Sequence, residues 1–304
     1  MSKNFLFVHF IGDFQNGEQV YFSVSKDGLH WKELNDAKPV LTSTEGDKGV
    51  RDPFIVKHPK TDVYYLFGTD LSMYHRNHDW GQAVINGSRD IIVWESTDLV
   101  HWSEPRFCTV GLPEAGCVWA PEAIYDEEEE AFLVFWASNI KEENDTEARH
   151  RIYASYTNDF KEFTSPEKYI ERDQSVIDTT IIYTDDHYYR FTKDEQTKKI
   201  ILDKGRELKG DFQAIRSETL SKAEGLEGPQ VYPLDENRWI LIVDQFAKGL
   251  GYVPYEIKDF NTGDIQLLDQ DAFDFGNTRK RHGGVIPISE DEYSRLTAHF
   301  GVAD

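Results

Sequence analysis

The sequence predicts an all-β fold: a five-bladed β-propeller whose last blade is closed by strands from the N-terminus. Three observations predict it. A turn phrase recurs as "SKDGLHW" at 25–31, "STDLVHW" at 96–102 and "TNDFKEF" at 157–163, with weaker echoes at Asp211 and Asp259. The positions Asp27, Asp98, Asp159, Asp211 and Asp259 lie 71, 61, 52 and 48 residues apart, and self-similarity at such a period marks a repeated supersecondary unit. A second phrase opens each unit: "RDPFIV", "WAPEAIY", "VIDTTIIY", "EGPQVYP" and "RHGGVIP". Its apolar residues Ile55, Ile124, Ile181, Val231 and Val285 are spaced by 69, 57, 50 and 54. Finally, helical periodicity is almost absent, with at most a short turn in "SEDEYSRL".

Each unit unfolds in the same order. The opening strand is followed by a turn ("KHPKTD", "DEEEE", "TDD", "LDEN", "SED") and usually by an aromatic run such as "VYYLFG", "AFLVFWA", "HYYRF" or "RWILIV". Short β-branched and aromatic runs punctuated this way read as antiparallel hairpins. The Asp turn then leads to the next strand, since Asp after a strand suits a tight turn. Five openings and five Asp turns give five four-stranded sheets, and propellers repeat such sheets around a channel. The opening at His282 leaves only about twenty residues, too few for a blade. "FLFVHFIGD", "QVYFSVSKDG" and "HWKEL" from the N-terminus supply its outer strands, so residues 1–304 form one propeller domain. "DEEEE" at 126–130 reads as a solvated hairpin tip, and "IKEENDTEARH" as the one candidate for disorder.

Composition narrows the function classes. The net charge of −22 repels phosphate backbones and argues against nucleic acid as a partner. No run approaches the roughly 20 apolar residues of a helical membrane span, so no membrane partner is expected. The opening "MSKNFLFVHFIGD" lacks the apolar core and cleavage site of a signal peptide, which points to the cytoplasm. Cys108 and Cys117 form no metal motif and read as free buried thiols. Seven Trp and fifteen Tyr suit a packed core and surfaces that stack against sugars.

In a propeller the first strand of every blade lines the axis, so residues opening those strands converge. Here these are Asp52, Trp119 with Glu122, Asp178, Glu227 and His282. Carboxylates converging with a Trp and a His suit glycoside hydrolysis, which needs an acid for the leaving oxygen and a carboxylate on the opposite face. Each residue also has a plainer reading. Asp52 before Pro53 suits a turn, Glu227 lies in a glycine-flanked loop, and Trp119 is as readily core as sugar platform. Asp178 in an apolar run needs a partner, and Arg51 or Arg281 could be an ordinary one. Glu122 reads as a rim carboxylate. His75 and His78 sit in a long loop over the pocket rather than in a metal site, with Trp80 near the substrate.

The five ordered motifs together resemble glycoside hydrolase family 43, five-bladed propellers that act on arabinose- and xylose-containing glycans. The resemblance implies Asp52 in "RDPFI" as general base, Asp178 in "VIDTTII" as modulator of the acid's pKa, and Glu227 in "EGPQVY" as general acid. Trp119, Trp80 and Arg281 are expected to contact substrate. No cofactor is required. His282 matches an axial histidine near a central metal ion or its water shell, so a structural Ca2+ on the axis is an open expectation. The expected activity is inverting removal of terminal α-L-arabinofuranosyl or β-D-xylosyl residues from oligosaccharides. A non-catalytic glycan-binding propeller is the rival from another class. A β-fructosidase-type propeller is the enzymatic one, although its "NDPNG" and Glu-Cys motifs are missing.

Overall fold

The computed structural model describes residues 4–303. Its twenty strands form five antiparallel four-stranded sheets. The N-terminal strands β1 (Asn4–His9), β2 (Tyr21–Ser25) and β3 (Trp31–Glu33) come first. Blade I holds β4 (Val50–Lys57), β5 (Tyr64–Asp70), β6 (Asp90–Ser96) and β7 (Arg106–Thr109). Blade II holds β8 (Trp119–Asp126), β9 (Ala131–Ile140), β10 (Arg149–Thr157) and β11 (Glu167–Ile170). Blade III holds β12 (Val176–Thr184), β13 (His187–Asp194), β14 (Lys199–Gly205) and β15 (Phe212–Ile215). Blade IV holds β16 (Glu227–Pro233), β17 (Trp239–Asp244), β18 (Tyr252–Asp259) and β19 (Asp264–Leu267). Strand β20 (Gly283–Ile288) opens blade V, ordered β20-β1-β2-β3, so the N-terminal strands do close the last blade. The opening strands β4, β8, β12, β16 and β20 touch one another in a ring around the axis.

The Asp turns connect the third and outermost strands. Asp98 Oδ1 accepts from the backbone N–H of Val100 and His101, and Ser96 Oγ accepts from that of Leu99. Asp27 and Ser25 repeat the same bonds. The phrase is a side-chain-stapled turn, which explains why its spacing outlasts its exact letters.

Core residues fill the five wedges between neighbouring blades rather than one centre. Strands such as β9 are buried on both faces, each face packing against a different wedge. Large aromatics do much of this filling; Trp94, Trp136, Phe7 and Phe135 are almost fully buried. A modest apolar fraction rich in rings is therefore enough.

Two expectations need correction. "SEDEYSRL" belongs to a three-turn helix over Glu290–Phe300, not a short turn. Ser289 and Glu292 form its capping box, and Leu296 seats it on the wedge between blades V and I. The segment after β9 is not disordered but a turn pinned by the buried Arg151, which bonds both oxygens of Asp145 at 2.7 Å. The "DEEEE" run is the β8–β9 hairpin tip, and Cys108 and Cys117 are free and buried.

One backbone device repeats at the mouth of the channel. In each of β4, β8, β12 and β16, one extra residue interrupts the register with the second strand. At each interruption one residue is left-handed: Asp52 (φ 49), Ala120 (φ 47), Asp178 (φ 48) and Gly228 (φ 53). Such β-bulges bend a strand and re-aim its side chains. Left-handed backbone costs an L-residue about 1–2 kcal/mol, and Asp tolerates it better than most. Asp52 and Asp178 thus occupy one station of the repeat. Arg51, Trp119, Ile177 and Glu227, each just before the left-handed residue, occupy another.

Candidate active site

The bulges open onto a cavity of about 540 Å³ at one end of the axis. Its lining brings together Asp52, Asp178, Glu227, Trp80, Trp119, Arg281 and His282, all singled out from the sequence, and adds Asp13, Arg51, His150, Lys193 and Glu195. Glu122 departs from expectation. It is no rim residue but lies 2% exposed beneath the cavity, with Oε1 3.8 Å from His282 Nε2.

Asp52 is held from two sides. Thr69 Oγ donates to its Oδ2 at 2.9 Å, and its Oδ1 lies 3.3 Å from His282 Nδ1. Burial alone would raise its pKa. The His282 hydrogen bond and charge, with Arg51 and Thr69, outweigh burial and keep Asp52 below its ordinary value. For His282, burial opposes the charged ring, but the facing carboxylates of Asp52 and Glu122 and the charge of Asp178 raise its pKa well above 6.5. The axis therefore carries a built-in cation. A directly ligated Ca2+ does not fit this arrangement. Both ring nitrogens of His282 face carboxylates, Nδ1 at 3.3 Å from Asp52 and Nε2 at 3.8 Å from Glu122, and among the described residues no three His, Cys, Asp or Glu side chains are grouped to hold a metal ion.

Asp178 accepts from the Gly228 N–H at 3.0 Å, and neither arginine partners it. Burial dominates and pushes its carboxyl up to about 6; the Glu227 and Asp52 charges push the same way, while His282 and Lys193 oppose. Glu227 faces a different field. Lys193 Nζ reaches its Oε2 at 2.9 Å, and Arg281 Nη2 reaches its Oε1 at 2.8 Å. Burial would raise its pKa, yet the Lys193 and Arg281 charges lower it. The expected sense, Asp178 raising Glu227, is thus outweighed in this structure by two cations sitting closer.

Arg281 also ion-pairs through Nε with the fully buried Asp244, and its Nη1 lies 3.7 Å from Asp13. Arg51 binds Asp13 and Glu18, and its guanidinium carbon stands over the rings of Phe10 and Trp80, 4.5 and 5.2 Å from their centroids. Trp80 begins a short helix, α1 (Trp80–Ile85), capped by Asp79, and its ring meets the edge of Trp119. Trp119 stacks on His150 at 5.2 Å and lines the cavity, so it is wall as much as core. His75 bonds Ser72 and joins no metal-binding group among the described residues.

Lys193 and Asp244 carried no motif in the sequence, yet one signal locates them. They pair across the sheet with the residue before each bulge: Lys193 opposite Ile177, and Asp244 opposite Glu227. Thr69 opposite Arg51 completes the pattern. The second strand of a blade supplies the supporting layer at a fixed register. Asp13 came from the β1–β2 loop and had no counterpart in the repeat.

Chemically, the site offers a carboxylate held ionised, a second carboxyl poised near neutrality, a third clamped by cations, and flat aromatic walls. A curated α-L-arabinofuranosidase from Bifidobacterium longum subsp. longum is 34% identical over 209 residues, 62% of this chain. The chain spans about a fifth (19%) of that relative's length. Among solved structures, a family-43 glycoside hydrolase from Bacillus licheniformis superposes with TM-score 0.58 at 17% identity, covering 91% of this chain and 57% of that one. An exo-β-1,3-galactanase from Phanerochaete chrysosporium gives 0.58 at 14%, covering 83% and 56%. These two show the shared fold. The family-43-related model described as "Probable glycosyl hydrolase domain" matches residues 1–294. A five-bladed propeller matched along nearly its whole length by that model belongs to the family-43-related glycosyl hydrolases.

Proposed function

We propose that the chain is an inverting exo-glycoside hydrolase that releases terminal α-L-arabinofuranosyl or β-D-xylosyl residues from oligosaccharides. The observation that carries it is the convergence of Asp52, Asp178 and Glu227, from three blades, in one cavity walled by Trp80 and Trp119. Arabinose is favoured by the activity named for the curated relative.

Asp52 is the general base. Its oxygens are fixed by Thr69 and His282, and its depressed pKa keeps it ready to take a proton from water as that water attacks the anomeric carbon. Glu227 is the general acid. Lys193 and Arg281 hold it as a carboxylate here, so it takes up its proton as a bound sugar loosens one of those contacts. Asp178 sits behind it on the Gly228 N–H, and its charge raises the proton affinity of Glu227 once a clamp opens. Arg281, Trp80 and Trp119 line the sugar. A second reading exchanges two roles: the pKa of about 6 on Asp178 favours it as the proton donor.

The test is hydrolysis of aryl glycosides and natural oligosaccharides by Asp52→Ala, Glu227→Ala and Asp178→Asn, with NMR of the first-formed sugar. Asp52→Ala is expected to lose turnover on every substrate. Glu227→Ala should lose about 10²–10⁴-fold on oligosaccharides but less on aryl glycosides with good leaving groups. If Asp178→Asn shows that leaving-group dependence instead, the exchanged reading holds. Retention of anomeric configuration rejects the single displacement.

A further inference from the structure

The face of the propeller opposite the catalytic cavity carries a groove that the catalytic scheme does not use. The opening strands start at the cavity and run away from it. Trp119 of β8 and Asp178 of β12 line the cavity, while Asp126 and Tyr183, seven and five residues further along the same strands, line the groove. At about 3.3 Å per residue, these strands separate the two sites by roughly 16–23 Å. The groove lies between blades II and III and consists of three adjoining hollows of about 320, 260 and 370 Å³, all of which meet at Tyr156.

The rings of the groove are held in place. The Tyr156 hydroxyl donates to Asp126 Oδ2 at 2.7 Å, and the Tyr169 hydroxyl donates to the Leu208 carbonyl at 2.6 Å. Lys209 of blade III reaches across to Glu167 of blade II at 2.9 Å, with its Nζ 5.4 Å from the centroid of Tyr156. Tyr183 and Tyr188 pack ring against ring at 4.7 Å. They are cross-strand partners five residues beyond the left-handed station of their blade. The corresponding pairs are Lys57 with Tyr64, Tyr125 with Phe132, and Pro233 with Trp239. Of the rings at this station only Tyr183 is exposed, at 53%. The repeat therefore does not require it, and an isolated exposed ring would need no explanation. Tyr183 is not isolated, because it continues a row of fixed tyrosines along a hollow.

The chemistry of the lining selects the ligand. Carboxylates such as Glu129 and Glu207 outnumber the cations Lys168, Arg206 and Lys209, which disfavours an anionic ligand. Flat rings flanked by both acceptors and donors suit a molecule with apolar C–H faces and hydroxylated edges. We propose that this groove binds a neutral polysaccharide chain, with Tyr183 and Tyr188 as its stacking surface, and tethers the enzyme to the polymer that carries its substrate. A unit held there is too far from Glu227 to be the one cleaved, so the groove acts by raising the local concentration of chain ends. The choice of pentose polymers as probes rests on the hydrolase proposal; the groove itself does not.

The experiment measures retardation in native gels containing arabinoxylan, linear arabinan or galactan, with excess arabinose and xylose present to occupy the cavity. It uses the Asp52→Ala background, so that no polymer is consumed, and adds Tyr183→Ala, Tyr183→Trp or, as an exposed apolar control on blade IV, Leu267→Ala. Retardation by a pentose polymer should weaken by about tenfold in Tyr183→Ala and persist in Tyr183→Trp and Leu267→Ala. With Asp52 intact, Tyr183→Ala should lower kcat/KM on polymer and leave it unchanged on an aryl glycoside. Absence of retardation by all three polymers overturns the proposal, as does retardation that Tyr183→Ala leaves intact. Equal weakening by Leu267→Ala overturns it too, because it signals adsorption to any exposed apolar residue. An equal loss on aryl glycoside and polymer points to a disturbed cavity and also counts against it. Retardation by galactan alone, lost in Tyr183→Ala, supports the groove and counts against a pentose substrate. If the wild type hydrolyses no arabinoside or xyloside, the hydrolase proposal fails, and the retardation result still decides the groove.

Discussion

Replacing Lys193 by Met separates electrostatic control of Glu227 from simple support of it. Lys193 is 3% exposed, lies 2.9 Å from Glu227 Oε2 and 3.5 Å from Glu195, and rests on the ring of Phe246. Met keeps the length and packing and removes the charge. Two unit charges about 4 Å apart at an effective dielectric near 20 interact by about 4 kcal/mol, equivalent to about 3 pKa units. Arg281 remains on Oε1 and water enters the vacated position, so the expected rise in the Glu227 pKa is smaller, about one unit. Because the protonated form is the active one, the basic limb of kcat/KM should move to higher pH by that amount, and Lys193→Arg should leave it in place.

Stability supplies a second readout. Removing one partner of a buried pair costs about 3–5 kcal/mol when the other charge is left alone. Glu227 keeps Arg281 and Glu195 keeps Lys198, so about 1–3 kcal/mol is expected here. Glu227 has a folded pKa below its ordinary value of 4.5. Its contribution to stability is therefore complete above pH 4.5 and lost as pH falls through the folded value. The Lys193→Met deficit in Tm should be largest near pH 7 and shrink below 4.5. A fall in Tm with an unmoved basic limb would refute the electrostatic role and leave Lys193 as packing.

Three further outcomes are expected. Asp178 has a folded pKa raised from 3.8 to about 6, so its carboxyl favours folding below 3.8 and loses that contribution as pH rises through 6. Asp178→Asn should accordingly raise stability by about 1–3 kcal/mol above pH 6 and not below pH 4, checked by thermal melts across pH; an equal effect at both ends contradicts it. Gly228→Ala would place a Cβ 2.6 Å from His282 Cγ at φ +53, so it should displace the ring from Asp52 and cost turnover as well as about 1–3 kcal/mol of stability; wild-type activity would show that the axis yields easily. Cys117 is fully buried with its thiol pushed up to about 12, and Cys108 is 7% exposed, so both should react with a thiol reagent only on unfolding. Rapid labelling of the native protein, or a disulfide between them, would contradict this.

What the sequence revealed depended on whether a feature was local. The turns at Asp27, Asp98, Asp159 and Asp259 were legible because the Asp carboxylate staples each of them within four residues, so the letters had to stay close together. The blade openings were legible because every inner strand must enter a ring. The long C-terminal helix was not. Its capping box is local, but its stability comes from Leu296, Tyr293 and Phe300 packing on blades V and I, which no periodicity in ten residues displays. Asp52, Asp178 and Glu227 were found through position in the repeat. Lys193 and Asp244 escaped because their roles depend on cross-strand register, and a one-residue bulge shifts that register in four of the five blades. Glu122 was misplaced on the rim for the same reason: two residues beyond left-handed Ala120, it turns down the axis.

The bulges also explain how one repeated backbone yields unlike carboxyls. Asp52 and Asp178 share a station and nearly identical φ, so backbone geometry cannot set them apart. Their surroundings do. Asp52 has a hydroxyl from its own blade's second strand, an imidazolium from blade V and the guanidinium of Arg51 next to it, and it stays ionised. Among the described residues Asp178 has only a backbone N–H within bonding distance, and the charges of Glu227 and Asp52 press on it. The corresponding station in blade IV is Gly228, whose missing Cβ makes room for the His282 ring that tunes Asp52. In blade II it is Ala120, whose N–H instead holds the Thr69 hydroxyl that bonds Asp52. Two of the four stations thus keep a carboxylate, and the other two have given it up to set the charge state of Asp52. Asymmetry at the centre of a near-symmetric ring comes from which side chain each blade omits. Installing Asp at position 120 should therefore not create a fourth working carboxyl. It would put a charge beside Thr69, compete for that hydroxyl, and raise the pKa of Asp52, visible as an upward shift of the acidic limb in the pH profile.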